Sequence, residues 1–311
     1  MSALICGSFA YDSIMVFHDK FKNHILPDKV HMLNVSFLVP SLRREFGGCA
    51  GNIAFNLNML CDKALPMGTV GSDFEPYAKW MDEYGISRQY LTTIDDSYTG
   101  QAFITTDEDA NQITAFHPGA MNESHINAVP KNDGIQLGIV SPDGRQGMID
   151  HAAQFAAAEI PFIFDPGQGM PMFDGTELKT FIEQATWVTL NDYESQLMQE
   201  RTGFSEAQIA GQLQALIVTR GAEGSSIYTD GKVINIPTIP VSAIKDPTGC
   251  GDAYRAGLLY GLLNELDWES TGRIASLMGG IKIEHEGTQN HWKSLPEIRE
   301  RFRQVFGQDM P

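Results

Sequence analysis

One carboxylate framed by glycines carries the strongest chemical signal in this 311-residue sequence. In Asp246-Pro247-Thr248-Gly249-Cys250-Gly251-Asp252-Ala253-Tyr254-Arg255-Ala256-Gly257, glycines precede Asp252 and a small, apolar run suited to a helix follows. The first turn of a helix leaves backbone N–H groups unpaired and carries positive partial charge, so Gly249, Cys250 and Gly251 can cradle an anion. Asp252, fixed beside that cradle, can take a proton from a hydroxyl attacking the anion. That is the minimum apparatus for phosphoryl transfer to an alcohol. The competing readings are a plain helix N-cap for Asp252, a turn residue for Thr248 and a surface acid for Asp246.

Further segments bring polar groups or bare backbone to such a reaction. In Phe46-Gly47-Gly48-Cys49-Ala50-Gly51-Asn52, the adjacent glycines Gly47 and Gly48 let a ligand approach the backbone closely. Asn52 can both donate to and accept from sugar hydroxyls; a tightly packed helix start is the alternative. Asp12 follows an apolar run and a Gly7-Ser8 turn, where a carboxylate grips vicinal hydroxyls or simply caps a turn. Asn191 and Glu194 share a helix face, and they either hold Mg²⁺ through its waters or form a capping box. Thr219-Arg220-Gly221-Ala222-Glu223-Gly224 follows another apolar run, and its glycines permit a nucleotide to lie against the backbone. No GxxxxGK[ST] string occurs, so this is not a Walker loop. Gly287-Thr288-Gln289-Asn290 adds a polar turn near the C-terminus.

With 39 acidic against 22 basic residues, the net charge of −17 argues against DNA, RNA or an anionic membrane surface as a partner. Phosphate must then be held locally, by amides, a metal and a few cations. Cys6, Cys49, Cys61 and Cys250 form no CxxC pair, so reduced structural thiols are expected. The N-terminus lacks a basic and apolar leader, and no segment approaches spanning length. The expectation is a soluble, cytoplasmic protein.

Such loops need a scaffold that delivers them to one edge. Short apolar runs at 4–7, 135–141, 161–165, 187–190 and 216–219 alternate with helix-length stretches such as 147–158 and 177–184. The pattern predicts βαβ units, a mostly parallel sheet covered on both faces, and ligands at the carboxyl ends of its strands. Asp230-Gly231 between 225–229 and 233–236 predicts a hairpin. Residues 11–46 and 97–118 are richer in β-formers, with alternation over 35–39 and 101–105, and read as a small strand-built flap. With no internal repeat or long linker, a single domain over 1–311 is expected.

Taken in this order, the motifs resemble those of the ribokinase, or phosphofructokinase-B type, family of carbohydrate kinases. Residues 246–257 are similar to its C-terminal signature, and Gly47-Gly48 with Asn52 to its N-terminal one. Asn191 with Glu194 resembles its NxxE magnesium motif, and Thr219-Arg220-Gly221 with Gly224 its TxGxxG nucleotide loop. Pro247 and Cys250 stand where many members have Thr and Ala, and Arg255 adds a charge. The resemblance implies a three-layer α/β/α sandwich with a small β-strand lid, and an ATP-dependent kinase. Asp252 would be the general base, with the amides of Gly249, Cys250 and Gly251 as its anion hole. Asp12, Gly47, Gly48 and Asn52 would hold the acceptor, and Thr219, Arg220, Gly221, Gly224 and Asn191 the nucleotide. Glu194 would hold Mg²⁺ through water, and Asp246 and Thr248 would lie near a monovalent cation such as K⁺.

Within the family, residues 43–54, 115–121 and 165–168 look most like bacterial adenosine and nucleoside kinases. The expected acceptor is therefore adenosine or another purine nucleoside, phosphorylated on its 5′-hydroxyl. Phe37, Phe103 and Phe116 would form an apolar wall for the base, or simply lid core. A ribose or fructose kinase and a catalytically idle nucleoside sensor are the alternatives. Lids in this family also serve as homodimer surfaces.

Overall fold

Alternate residues of the first strand, β1 (Ser2–Cys6), enter different cores: Ala3 and Ile5 one, Leu4 and Cys6 the other. A strand buried on both faces must lie inside a sheet that is covered on both sides. The computed structural model, which describes residues 2–25, 32, 34–109, 111–131 and 133–311, contains that sheet. After β1 come β2 (Ala10–Val16), β3 (Ser41–Gly47), α1 (Cys49–Leu60), β4 (Ala64–Gly71), α2 (Glu75–Glu83), β5 (Tyr90–Ile94), β6 (Gly100–Thr106) and β7 (Gln112–His117). The chain continues through β8 (Ile135–Val140), α3 (Arg145–Ala157), β9 (Phe162–Phe164), α4 (Gly175–Gln184), β10 (Trp187–Asn191), α5 (Asp192–Thr202) and α6 (Glu206–Ala210). It ends with β11 (Ala215–Thr219), β12 (Ser225–Thr229), β13 (Lys232–Ile236), α7 (Cys250–Leu263), α8 (Trp268–Ile283) and α9 (Leu295–Phe306).

The nine-stranded sheet has the order β13-β12-β11-β10-β9-β8-β1-β4-β5. It is parallel from β11 to β5, and the β12–β13 hairpin continues it antiparallel. Residues of α1, α7, α8 and α9 pack on the Ala3/Ile5 face, and those of α3, α4 and α5 on the Leu4/Cys6 face. The result is a three-layer α/β/α sandwich. Because β1 is flanked by β8 on one side and β4 on the other, successive connections diverge there and open a crevice at the carboxyl edge.

A separate four-stranded sheet, β3-β2-β6-β7, occupies the stretches expected to form the flap. Residues 35–39 are unpaired, however, and the ladder begins at Ser41. Phe37 packs instead against Phe17 and Phe21, with ring centroids 4.8 and 5.0 Å away. The parts of the expected flap at 26–31, 33 and 110 lie outside the described residues.

Strands β4 and β5 were not anticipated. Pro66, Gly68 and Gly71 interrupt the apolar pattern of β4, but the glycines answer to packing. A Cβ on Gly68 would lie 2.7 Å from the Gly7 carbonyl, and one on Gly71 2.2 Å from the Thr99 nitrogen. All four cysteines are free thiols. No described helix is long and apolar enough to cross a membrane.

Candidate active site

Gly249 caps α7 with φ of 80°, a left-handed conformation that glycine adopts without the usual steric cost. The Cys250 N–H donates to the Pro247 carbonyl at 3.1 Å and closes the preceding turn. Cys250 is thereby a weaker anion-hole donor than its sequence position suggested. Among the described residues, no hydrogen bond engages the N–H groups of Gly249, Gly251 or Asp252. Three amides are thus left free at the positive end of a 14-residue helix.

Asp252 is not the cap of this helix, since Gly249 holds that position. Its Oδ2 accepts from Asn52 Nδ2 of α1 at 2.9 Å. Burial pushes the Asp252 carboxyl up to about 7; the Asn52 hydrogen bond opposes that rise, Asp165 adds to it and Arg255 opposes it. A carboxylate titrating near neutrality is well matched to general-base work.

The other end of the Asn52 amide is also engaged. Its Oδ1 accepts from Gln289 Nε2 at 3.0 Å, and Gln289 Nε2 donates to Tyr77 Oη at 2.6 Å. Trp80 Nε1 donates to Gln289 Oε1 at 3.0 Å, and Tyr77 Oη donates to the Gly47 carbonyl at 2.9 Å. Asn52 and Gln289 are 4% and 2% exposed, so the chain holds the Asn52 side chain rigidly against Asp252. Tyr77 and Trp80 escaped the sequence reading, and Gln289 entered it only as part of the 287–290 polar turn. The i, i+3 spacing of Tyr77 and Trp80 on one face of α2 was their only signal.

One turn along α7, Arg255 donates from Nε and Nη2 to Asp165, at 3.0 and 2.9 Å. Both residues are buried. Burial works against the guanidinium charge, but Asp165 outweighs it and raises the Arg255 pKa. At the end of β10 the capping box is realised: Asn191 N–H donates to Glu194 Oε2 at 2.8 Å, and Glu194 N–H donates to Asn191 Oδ1 at 2.7 Å. Asn191 Nδ2 also donates to Glu194 Oε1 at 2.8 Å. Each Glu194 oxygen keeps a second lone pair. Burial and the neighbouring Asp165 raise the Glu194 pKa.

Asp12 lies on β2, where a Cβ on Gly47 would come within 2.7 Å of its Oδ2. Gly48 has φ of 87°, and a Cβ there would lie 2.5 Å from the Ser8 carbonyl. Burial, with the charges of Glu45 and Asp246, raises Asp12 to about 6. The register sets Asp12 opposite Ala102 and Ala102 opposite Phe116, so Asp12 and Phe116 share a face. Phe103 pairs with Ser13 and Ala115, on the other face. Of the three expected wall aromatics, the fold brings Phe116 to the side of Asp12, and Phe103 and Phe37 elsewhere.

Thr219 ends β11 as the register partner of Asn191, so the glycine loop and the NxxE segment are neighbours. The Arg220 guanidinium is folded away, donating to Glu206 Oε2 at 3.4 Å and Tyr228 Oη at 3.2 Å. Gly221 and Gly224 have φ of 52° and 90°, and the loop offers backbone rather than charge. At Asp246, expected to lie near a monovalent cation, the backbone carbonyl accepts from Lys282 Nζ at 2.7 Å and Oδ2 lies 3.8 Å from the same nitrogen. A surface depression of about 590 Å³, lined by Arg145, Met172, Phe173, Asp174 and Arg201 among others, shares no residue with this constellation.

A sequence model described as pfkB family carbohydrate kinase matches residues 9–295. A nucleoside kinase of Methanocaldococcus jannaschii is 31% identical over 271 residues, covering 86% of this chain and 89% of that protein. The structure of Burkholderia thailandensis nucleoside kinase in complex with inosine superposes with a TM-score of 0.90 at 51% identity over 99% of each chain. The same enzyme in complex with ADP-inosine gives 0.88 at 53% identity, over 99% of this chain and 97% of that one.

Proposed function

The chain belongs to the pfkB family of carbohydrate kinases, and we propose that it transfers the γ-phosphoryl group of ATP to the 5′-hydroxyl of a purine nucleoside. The observation that carries this reading is Asp252, held by Asn52 at 2.9 Å beside three free amides of α7. In the proposed step, Asp252 takes the proton of the 5′-hydroxyl as its oxygen bonds to the γ-phosphorus. The bond to the β–γ bridging oxygen breaks, and ADP leaves with the electron pair. The amides of Gly249, Gly251 and Asp252 face the negative charge that spreads over the transferred group. Asp12, where Gly47 leaves it room, would anchor the ribose hydroxyls.

Mg²⁺ carried by ATP would neutralise phosphate charge, and the spare lone pairs of Glu194 fit a role in holding it through water. The loop from Thr219 to Gly224 would take the nucleotide along its backbone. Support for a nucleoside over a free sugar comes from the similarity to nucleoside kinase bound to inosine and to ADP-inosine. Phe116, 49% exposed on the Asp12 face, supplies an aromatic surface on which a base can stack.

A coupled assay of ADP release with adenosine, inosine, guanosine, ribose and fructose tests the reading. A purine nucleoside should give the highest kcat/KM. Preference for ribose or fructose would overturn the acceptor, and tight nucleoside binding without ADP release would indicate a sensor. A homodimer through the small sheet would use its opposite face, where Leu42, Phe103 and Ile113 are 67, 42 and 44% exposed. Sedimentation equilibrium decides this: a concentration-independent monomer excludes it.

A further inference from the structure

A fully buried ammonium stands where the sequence led us to expect a dissociable ion. Lys282, in the last turn of α8, is 0% exposed. Its Nζ donates to the backbone carbonyls of Asp246 at 2.7 Å and His285 at 3.2 Å, and lies 3.8 Å from Asp246 Oδ2. Carbonyl and carboxylate oxygens are the donors that a desolvated K⁺ or NH₄⁺ would take. The C-terminal end of α8 adds negative partial charge at the same place. A buried ammonium without such partners would be prohibitively costly, so its retention here reflects a site built around it.

Those oxygens belong to the loop that forms the anion hole. Asp246 Oδ1 accepts from Thr248 N–H at 2.9 Å, and Oδ2 from Gly287 N–H at 3.0 Å. Burial would raise the Asp246 carboxyl, but these donors and the Lys282 charge outweigh it and hold it below the usual range. From Asp246 the chain runs directly through the Pro247–Cys250 turn to the free amides of α7. The ammonium therefore braces that loop from behind. A monovalent metal ion does not fit the same oxygens while Lys282 fills them.

We propose that Lys282 is a tethered cation that positions the anion-hole loop, so that turnover needs no added K⁺. The proposal rests on the phosphoryl-transfer reading above. The test uses full-length enzyme in buffer whose only monovalent cation is tetramethylammonium, with Mg²⁺ held constant, compared with KCl, NH₄Cl and NaCl at equal ionic strength. Wild-type kcat should be insensitive to the change of cation. Lys282→Met, similar in length and apolar, should lose kcat by ~10–100-fold, the worth of a hydrogen bond to a charged group. K⁺ or NH₄⁺ should restore part of that loss, because the vacated oxygens again have a cation.

Melting temperature gives a readout independent of turnover. K⁺ or NH₄⁺, but not tetramethylammonium, should raise it for Lys282→Met and leave wild type unchanged. Wild-type turnover that depends on K⁺, a fully active Lys282→Met, or a loss that neither ion relieves would each overturn the proposal. Should Lys282→Met fail to fold, the wild-type arms still decide, since K⁺-specific activation or stabilisation of wild type refutes a built-in cation. Absence of ADP release in every salt would count against the functional reading, while the melting experiment would still judge Lys282.

Discussion

Replacing Asn52 with Ala should shift the acidic limb of the pH profile upward, which is distinct from a uniform loss of rate. The Asn52 amide donates to the ionised form of Asp252 and so favours it; removing the donor disfavours the charged form and raises the pKa. A hydrogen bond to a charged group is worth about 1.5–3 kcal/mol, and at about 1.36 kcal/mol per pKa unit its loss corresponds to a rise of ~1–2 units. Asp252 starts at about 7, so in the variant it should titrate between ~8 and ~9. At neutral pH the ionised fraction would fall from about one half to ~1–10%, and kcat/KM by ~5–50-fold, with recovery in alkaline buffer. The assay is coupled ADP release at limiting nucleoside across a pH series, since kcat/KM reports groups of the free enzyme. Circular dichroism controls for folding, because Asn52 also holds Gln289. If Asn52→Ala lowers kcat/KM equally at every pH and leaves the limb in place, Asn52 does not tune Asp252.

Three other substitutions probe separate parts of the site. Asp252→Asn should lower kcat by ~10²–10⁴ at all pH values with little change in nucleoside affinity by calorimetry, and near-normal turnover would remove it from the base role. Glu194→Gln keeps an acceptor for the Asn191 N–H but not for Asn191 Nδ2, so the helix cap should survive with a small fall in melting temperature while the half-saturating Mg²⁺ concentration rises. An unchanged Mg²⁺ titration would count against a metal role. Arg255→Leu leaves Asp165 buried without its partner and should destabilise the protein by about 3–5 kcal/mol in urea unfolding. Adding Asp165→Leu should recover most of that loss, and a wild-type unfolding midpoint for the single variant would refute the argument.

The buried parallel strands were legible because a strand covered on both faces must be apolar along its buried length, as β1 is from Ala3 to Cys6 and β11 from Ala215 to Val218. Strand β4 was hidden because Pro66, Gly68 and Gly71 break its pattern, the two glycines for local reasons of close packing. The glycine-flanked loops could be found because their chemistry is local in sequence. Pairwise geometry could not. Nothing near Asn52 reveals that its amide meets Asp252, 200 positions away, or that Gln289 would anchor its other end. Alternation puts Asp12 and Phe116 each on some face of a strand, but only the register decides that they share one and that Phe103 does not. The turn at Pro247 consumes the Cys250 N–H, which no residue pattern disclosed.

The small sheet is tied to the 286–290 turn by contacts that connect opposite ends of the chain. Arg43 meets Glu286, Asn290 donates to Glu45, and Thr288 donates to the Phe46 carbonyl, over separations of 243, 245 and 242 residues. At translation rates of about 5–20 residues per second, β3 waits ~10–50 s for these partners to leave the ribosome. By then every described strand has been made, since β13 ends at Ile236. A nascent chain halted before Glu286 would hold both sheets but lack the clamp that sets the acceptor side against α7. Catalytic competence would then arrive in one late step, and ribosome-bound chains stalled on either side of residues 286–290 should differ sharply in nucleoside affinity.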